Sequence, residues 1–361
     1  MKVKIGDLTR IKTGKLDANA SSEEGKYPFF TCSRETLKID NYSYDCECVL
    51  IAGNGDLNVK YYKGKFDAYQ RTYIIEDNSS GKLYMPYLYY FMEAYVEELR
   101  KQAIGGVIKY IKMGNLTDAM IELPSIEEQK KIVNTLENIR KILNLRNEEI
   151  LKLDNLIKAR FVEMFGDPIQ NPKGYLKETI NKHIDLLSGY PFKSEQYVDE
   201  GINICGGLII MPQKIKWDEC VHWSTVDGFE DYLLEENDIV MALDRPWISE
   251  GFKIAKVDAE HLPALLIQRT ARIRAVDMNQ DYLYHCFING CFDKHSNVTG
   301  SLVPHISAKD IRSFEVMIPP IELQERFATF VEEVDKSKIV VQKALDEAQL
   351  LFDSLMQEYF G

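Results

Sequence analysis

The sequence predicts an α+β protein: two similar mixed α/β domains separated by two long helices that pair as an antiparallel coiled coil, with pseudo-twofold symmetry. Three observations carry this expectation. One segment repeats without a gap, both copies hold a helical heptad pattern, and ahead of each copy short apolar runs alternate with turn residues.

Residues 121–166 superpose on 316–361 at a constant offset of 195. Pro124 falls on Pro319, Ile126 on Ile321, Glu127 on Glu322, Gln129 on Gln324, Glu163 on Glu358, Phe165 on Phe360 and Gly166 on Gly361. Ser125 to Glu128 is an S-x-x-E capping box that opens the first copy, and Phe-Gly closes both. Apolar residues recur by four and three. Leu136, Ile139, Leu143, Ile150 and Leu153 form the seam of the first helix; Val331, Val334, Val341, Leu345 and Phe352 form that of the second. About 38 residues at 1.5 Å each give a rod of roughly 57 Å. If the rods pair antiparallel about their midpoints, Arg140 faces Asp346 and Lys338 faces Glu148.

The regions before the rods hold strand candidates at Cys48–Ala52, Tyr69–Ile75, Ile239–Leu243 and Leu265–Ile273, and helix candidates at Met85–Arg100 and Tyr282–Lys294. Their correspondence is looser. The stretch 105–111 matches 300–306 at 195, Gln70-Arg71-Thr72 matches Gln268-Arg269-Thr270 at 198, and Gly14 matches Gly189 at 175. The order is domain (1–120), rod (121–167), domain (168–315), rod (316–361).

With 44 Lys plus Arg against 56 Asp plus Glu, the chain carries −12, which argues against a polyanion binder that uses its whole surface. The charge is uneven: +1 for residues 1–120, −1 for 121–167, −7 for 168–315 and −5 for 316–361. Seven cysteines without CxxC spacing read as reduced thiols. The start lacks a signal-peptide core and no apolar run approaches a membrane span of about 18 residues, so a cytoplasmic location with no membrane contact is expected.

LPSIEEQKKI followed by a helix ending in FVEMFGD, and IPPIELQERF followed by one ending in EYFG, resemble the two conserved regions of type I restriction–modification specificity subunits. IAGNGD…QRTYII (51–75) and MALDRPWISEGFK…IQRTARIR (241–274) are similar to their target recognition domains, and the resemblance spans essentially the whole chain. It implies double-stranded DNA as a partner, with each domain reading one half of an asymmetric, split target. It also implies that the rods set the spacing and dock two modification (methyltransferase) subunits, with restriction subunits as further partners. No cofactor is implied for this subunit; S-adenosylmethionine, ATP and Mg belong to the partner subunits. The sequence departs from the family pattern in ending at Gly361, directly after the second rod. Half-sites contacted from one face of the duplex would lie about 34 Å apart.

Read as one continuous strand, residues 265–275 place Gln268, Thr270, Arg272 and Arg274 on one face, a row of donors toward DNA, and leave Arg269 among apolar neighbours as a buried ion pair; Arg71 reads the same way. Residues shared by both domains, Gln70 with Gln268 and Thr72 with Thr270, suit scaffold or phosphate contacts, because they cannot distinguish two different half-sites. The code is expected where the copies diverge: Asn54, Asp56, Asn58 and Lys60 in the first domain, and Arg245, Trp247, Ser249 and Lys253 in the second. Lys109, Tyr110, Lys112, His305 and Lys309, just before the rods, are placed to grip the backbone.

Catalytic signals are weak. Gly53-Asn54-Gly55 lacks a third glycine, no GxxxxGK[ST] occurs, Asn171-Pro172-Lys173-Gly174 reads as a linker turn, and the six histidines show no metal spacing. No catalytic or metal-ligating residue is assigned, so a non-catalytic subunit is expected. The alternatives are a self-contained methyltransferase or nuclease carrying these domains, or a protein-binding scaffold.

Overall fold

The computed structural model describes residues 2–289, 292–295 and 305–361; the repeat match at 300–304 and Cys291 lie outside them. The chain divides into two compact units, Met1–Glu149 with Val341–Gly361, and Ile150–Val340. A central helix, Ile126–Phe165, and a C-terminal helix, Ile321–Phe360, each contribute one portion to each unit. The Ser125 hydroxyl accepts the Glu128 N–H at 3.2 Å to start the central helix, and Gly166, at φ +85°, ends it.

The first unit is built on a six-stranded sheet ordered Thr9–Thr13, Thr72–Asp77, Tyr44–Ala52, Val59–Ala68, Tyr27–Phe30, Leu37–Ile39. All neighbours are antiparallel except Tyr27–Phe30, which runs parallel to the end of Val59–Ala68. The second unit repeats the first four positions as Ile184–Ser188, Thr270–Ala275, Ile239–Ala242 and Ile254–Lys256, in the same order. Its parallel pair, Ile202–Cys205 with Ala264–Leu266, belongs to a separate three-stranded sheet, because residues 257–263 interrupt what is one ten-residue strand in the first unit. The single expected strand over 265–273 is therefore two strands with a turn between them.

Helices Met85–Gln102 and Gln280–Asn289 cover one face of these sheets and meet the long helices through matching polar contacts. Gln129 is fully buried: its Oε1 accepts the Tyr84 N–H at 2.8 Å and its Nε2 donates to the Pro124 and Lys82 carbonyls. Gln324 does the same with the Asn279 N–H at 2.9 Å and the Pro319 carbonyl at 2.8 Å. Tyr87 donates to the Glu122 carbonyl and Tyr282 to the Met317 carbonyl, again at equivalent positions. A side-chain amide suits this place because it donates and accepts at once, satisfying backbone groups that no regular element pairs.

Within each unit the helix portions contact each other in antiparallel fashion. In the first, Arg140 lies 5.3 Å from the Phe352 ring; in the second, Phe165 meets Phe327 at 5.4 Å and Lys338 bonds Asp154 at 2.7 Å. The expected partners, Asp346 for Arg140 and Glu148 for Lys338, are displaced by six residues in both units. Local chemistry sets this register: Arg140 is drawn to Glu93 and the Tyr89 hydroxyl, and the aromatic cluster Phe161, Phe165, Tyr282 and Phe327 fixes the second unit. Leu136, Ile139, Leu143, Val331, Val334 and Val341 are buried, while Ile150, Leu153, Leu345 and Phe352 are half-buried.

Candidate nucleic-acid interface

Three chain segments meet at one edge of each unit. In the first, the Gly53 N–H bonds the Arg71 carbonyl at 2.8 Å, the Ile111 N–H bonds the Gly53 carbonyl at 2.9 Å, and Asn54 bridges to Tyr110. In the second, the Leu243 N–H bonds the Arg269 carbonyl at 2.9 Å, the Ile306 N–H bonds the Leu243 carbonyl at 2.9 Å, and Asp244 bridges to His305. A fourth strand approaches from behind, where Gly14 donates to the Thr72 carbonyl and Gly189 to the Thr270 carbonyl. A Cβ on Gly14 would land on the Ala68 carbonyl oxygen, and one on Gly189 on that of Ile267, so both turns require glycine for close approach. Each edge opens into a cavity, about 280 Å³ around Gly53, Gln70 and Arg71, and about 540 Å³ around Asp244, Arg245, Lys253 and Arg269.

The donor row read from strand alternation does not form. Ile267 to Arg269 are a turn, with Arg269 at φ +64°, so the alternation restarts at Thr270. Thr270 is buried and donates to the Ile267 carbonyl. Arg272 is buried against Asp185, and Arg274 is held by Asp238 and Glu235, with the Asp238 hydrogen bond raising its pKa. These two arginines serve the sheet, since a central strand buries both faces. Arg269, expected in a buried pair, instead projects at the tip with 73% of its side chain exposed and Asp244 3.2 Å away. Arg71 is also exposed and pairs with no carboxylate among the described residues.

The other candidates separate into two groups. Thr72 is buried and donates to the Phe30 carbonyl. Lys60 donates to the Ser33 carbonyl and to Asn58, and burial lowers its pKa. Lys253 is buried, donates to the Gly207 carbonyl, and is lowered in the same way. Trp247 stacks on Phe252 at 5.0 Å and packs toward the core. These four are structural rather than outward-facing: a lysine whose stem packs in the protein and whose head is held on a loop carbonyl is turned away from a phosphate, although its ammonium keeps a free donor. Asn58 donates to the Cys32 and Asp56 carbonyls, and Asp56 pairs with Arg34 and Arg100. Exposed at the edges are Gln70, which donates to Asp17, and Lys109, Tyr110, Lys112, Arg245, Ser249, Gln268 and Lys309; Asn54 and His305 are intermediate, His305 bonding Asp244 at 2.7 Å. Sequence reasoning passed over Arg34 and Leu208, and read Arg71 and Arg269 as buried pairs where both are exposed at the tips. The repeat of Gln-Arg-Thr was the available signal, because its middle residue tops the turn in both units.

The sequence profile described as type I restriction modification DNA specificity domain matches residues 1–155 and 189–348. The chain belongs to this family. It is 40% identical over 137 residues to the type I restriction enzyme EcoDI specificity subunit of Escherichia coli, covering 38% of this chain and 30% of that protein. It is 23% identical to the MjaVIII specificity subunit of Methanocaldococcus jannaschii, covering 92% of this chain and 85% of the relative. The matched stretch thus spans about a third of the E. coli relative and most of the archaeal one. The crystal structure of a type I restriction–modification S subunit from M. genitalium matches the fold with a TM-score of 0.64 at 17% identity, covering 100% of this chain and 96% of that one. Each of the two profile matches takes in one of the edges described above.

Among the described residues no His, Cys, Asp and Glu cluster could hold a metal, and no helix is long and apolar enough to cross a membrane. The buried thiols Cys48, Cys205 and Cys286 are pushed up by burial and are poor nucleophiles.

Proposed function

We propose that this chain is the DNA sequence-specificity subunit of a type I restriction–modification complex. The observation that carries the reading is the twice-built edge: the same backbone hydrogen bonds frame Arg71 and Arg269, while the residues around them differ. Equal scaffolds with unequal rims suit two domains, 1–120 and 168–315, that each take one half of an asymmetric, bipartite duplex target. The rods 121–167 and 316–361 act as the ruler and dock two modification subunits. Leu145, Leu151, Ile339, Val340 and Leu350, all exposed, supply apolar surface for that docking. The chain itself is non-catalytic and takes no cofactor; S-adenosylmethionine, ATP and Mg act on the partner subunits, restriction subunits join the same assembly, and the complex works in the cytoplasm.

A net charge of −12 also supports dependence on those partners, because the isolated chain has little positive surface with which to displace counterions. Co-expression with a type I methyltransferase subunit, followed by mapping of methylated adenines in the expression host's genome, tests the reading. A split, asymmetric motif is expected, and replacing 1–120 by another domain should change one half only. A motif independent of this chain would reject the proposal, as would tight, salt-resistant specific binding by the chain alone.

A further inference from the structure

Directly after the first strand of each parallel pair, Tyr27–Phe30 and Ile202–Cys205, one loop is held in the same unusual way. The backbone register aligns Cys32 with Gly207, because Phe30 pairs with Ala68 exactly where Cys205 pairs with Leu266. It also aligns Asn58 with Lys253, since the Asn58 and Lys253 carbonyls accept the Ala52 and Ala242 N–H groups. From those matched positions the Asn58 amide donates to the Cys32 carbonyl at 2.9 Å and the Lys253 ammonium donates to the Gly207 carbonyl. Two chemically different side chains thus brace equivalent loops from within. What the loops present differs. In the first unit Arg34 projects with 70% of its side chain exposed and Asp56 2.7 Å away. In the second, Gly206-Gly207 carries Leu208, which is 89% exposed at the rim of the cavity that Arg245 and Arg269 also line.

An isolated leucine with no packing of its own, on a braced loop beside two exposed arginines, is placed for an apolar contact made on binding. We propose that the loops 31–35 and 206–209 are the base-selecting elements of the two domains, with Leu208 seated against a thymine methyl group in the major groove and Arg34 presented to a guanine. Asn58 and Lys253 are positioning residues that hold the loops at the depth this requires. Arg71 and Arg269, common to both domains, serve the phosphate backbone. The inference rests on the proposed function, and it deepens that function by naming where the code lies.

The test uses the full chain assembled with its methyltransferase subunits. Once the wild-type methylation motif is known, Leu208→Gln and Leu208→Ala complexes are mapped in the same host. Because Leu208 is on the surface, both variants are expected to fold, as unchanged thermal unfolding would show. The expected result is a change at one thymine of one half-site, relaxed by Ala and shifted by Gln toward adenine, with the other half intact. Replacing that thymine by uracil, which lacks the methyl group, should weaken wild-type binding about fourfold, the equivalent of roughly 0.8 kcal/mol for one buried methyl group, and leave Leu208→Ala unaffected. An unchanged motif, changes in both halves, or equal uracil effects in wild type and variant would overturn the inference. A wild-type complex without any bipartite motif would instead reject the proposed function.

Discussion

The two domain edges share their backbone and differ in their electrostatics. Arg71 stands beside Asn54 with no carboxylate partner among the described residues, whereas Arg269 stands beside Asp244, which also takes His305. The exchange of Asn for Asp at one matched position turns an unpaired cation into a tethered one. The second domain gains a fixed arginine orientation and loses part of the positive potential at its tip, in line with its −7 charge against +1 for the first. Divergence between the domains therefore includes how firmly each holds its tip arginine.

The largest test of the comparison lies beneath the edges. Phe327 is fully buried among Phe161, Phe165 and His285, and its repeat counterpart Ile132 sits at 7% exposure without such a cluster. Phe327→Ala should cost about 3–5 kcal/mol and Ile132→Ala about 2–4 kcal/mol in denaturant unfolding. A larger loss at Ile132 would show that the aromatic cluster is not what makes the second unit's core distinct.

The buried glutamines come next. Gln129→Ala and Gln324→Ala each leave at least two buried or part-buried backbone groups without their amide partner, so each should cost about 1–3 kcal/mol, read by hydrogen exchange at Tyr84 and Asn279 respectively. Similar values are expected, because the two contacts are copies. Unequal protection loss would break the equivalence of the units.

Acid should separate them further. Burial, with Lys256 and Lys338 nearby, holds the His285 imidazole down at about 3, against an ordinary value of 6.5. The folded chain keeps this group neutral while the unfolded chain takes up a proton near pH 6.5. Its contribution is therefore complete above that pH and declines toward pH 3, with a slope of at most about 1.4 kcal/mol per pH unit. The first unit carries Tyr90 at the matched position, raised by burial and unable to titrate in this window. Urea midpoints followed from pH 7 to 4 should fall faster for the second unit, and His285→Phe should flatten the difference.

The smallest effect concerns the tips. In the assembled complex, Arg71→Ala should reduce the slope of log K against log salt by about one, and Arg269→Ala by less, since Asp244 already shields its charge. Asp244→Asn should bring the Arg269 effect up to that of Arg71.

The helices and the doubled architecture were legible because they rest on periodicity and on a gapless repeat. The edges were legible only as a region. Arg269 adopts positive φ without a glycine to mark the turn, so one strand was read where there are two. The partners that bury Arg272 and Arg274, Asp185 and Asp238, lie 87 and 36 residues away, and nothing local announces them. Lys60 and Lys253 look like base-reading residues because they stand where the copies diverge, and only the fold shows that their ammonium groups are turned onto loop carbonyls. The rod register was missed for a related reason: Arg140 is claimed by a domain helix, a competitor absent from any helix-to-helix count.

The first unit is discontinuous in sequence, for it is completed by Val341–Gly361. Phe352, Leu355, Met356, Tyr359 and Phe360 pack onto the core that contains Tyr87, Tyr90 and Phe91. On the ribosome, these closing side chains emerge only after the whole of Ile150–Val340 has been made. The domain synthesised first is therefore the later of the two to be finished. During that interval its aromatic surface is open to solvent, to chaperones, or to the same segment of another nascent chain.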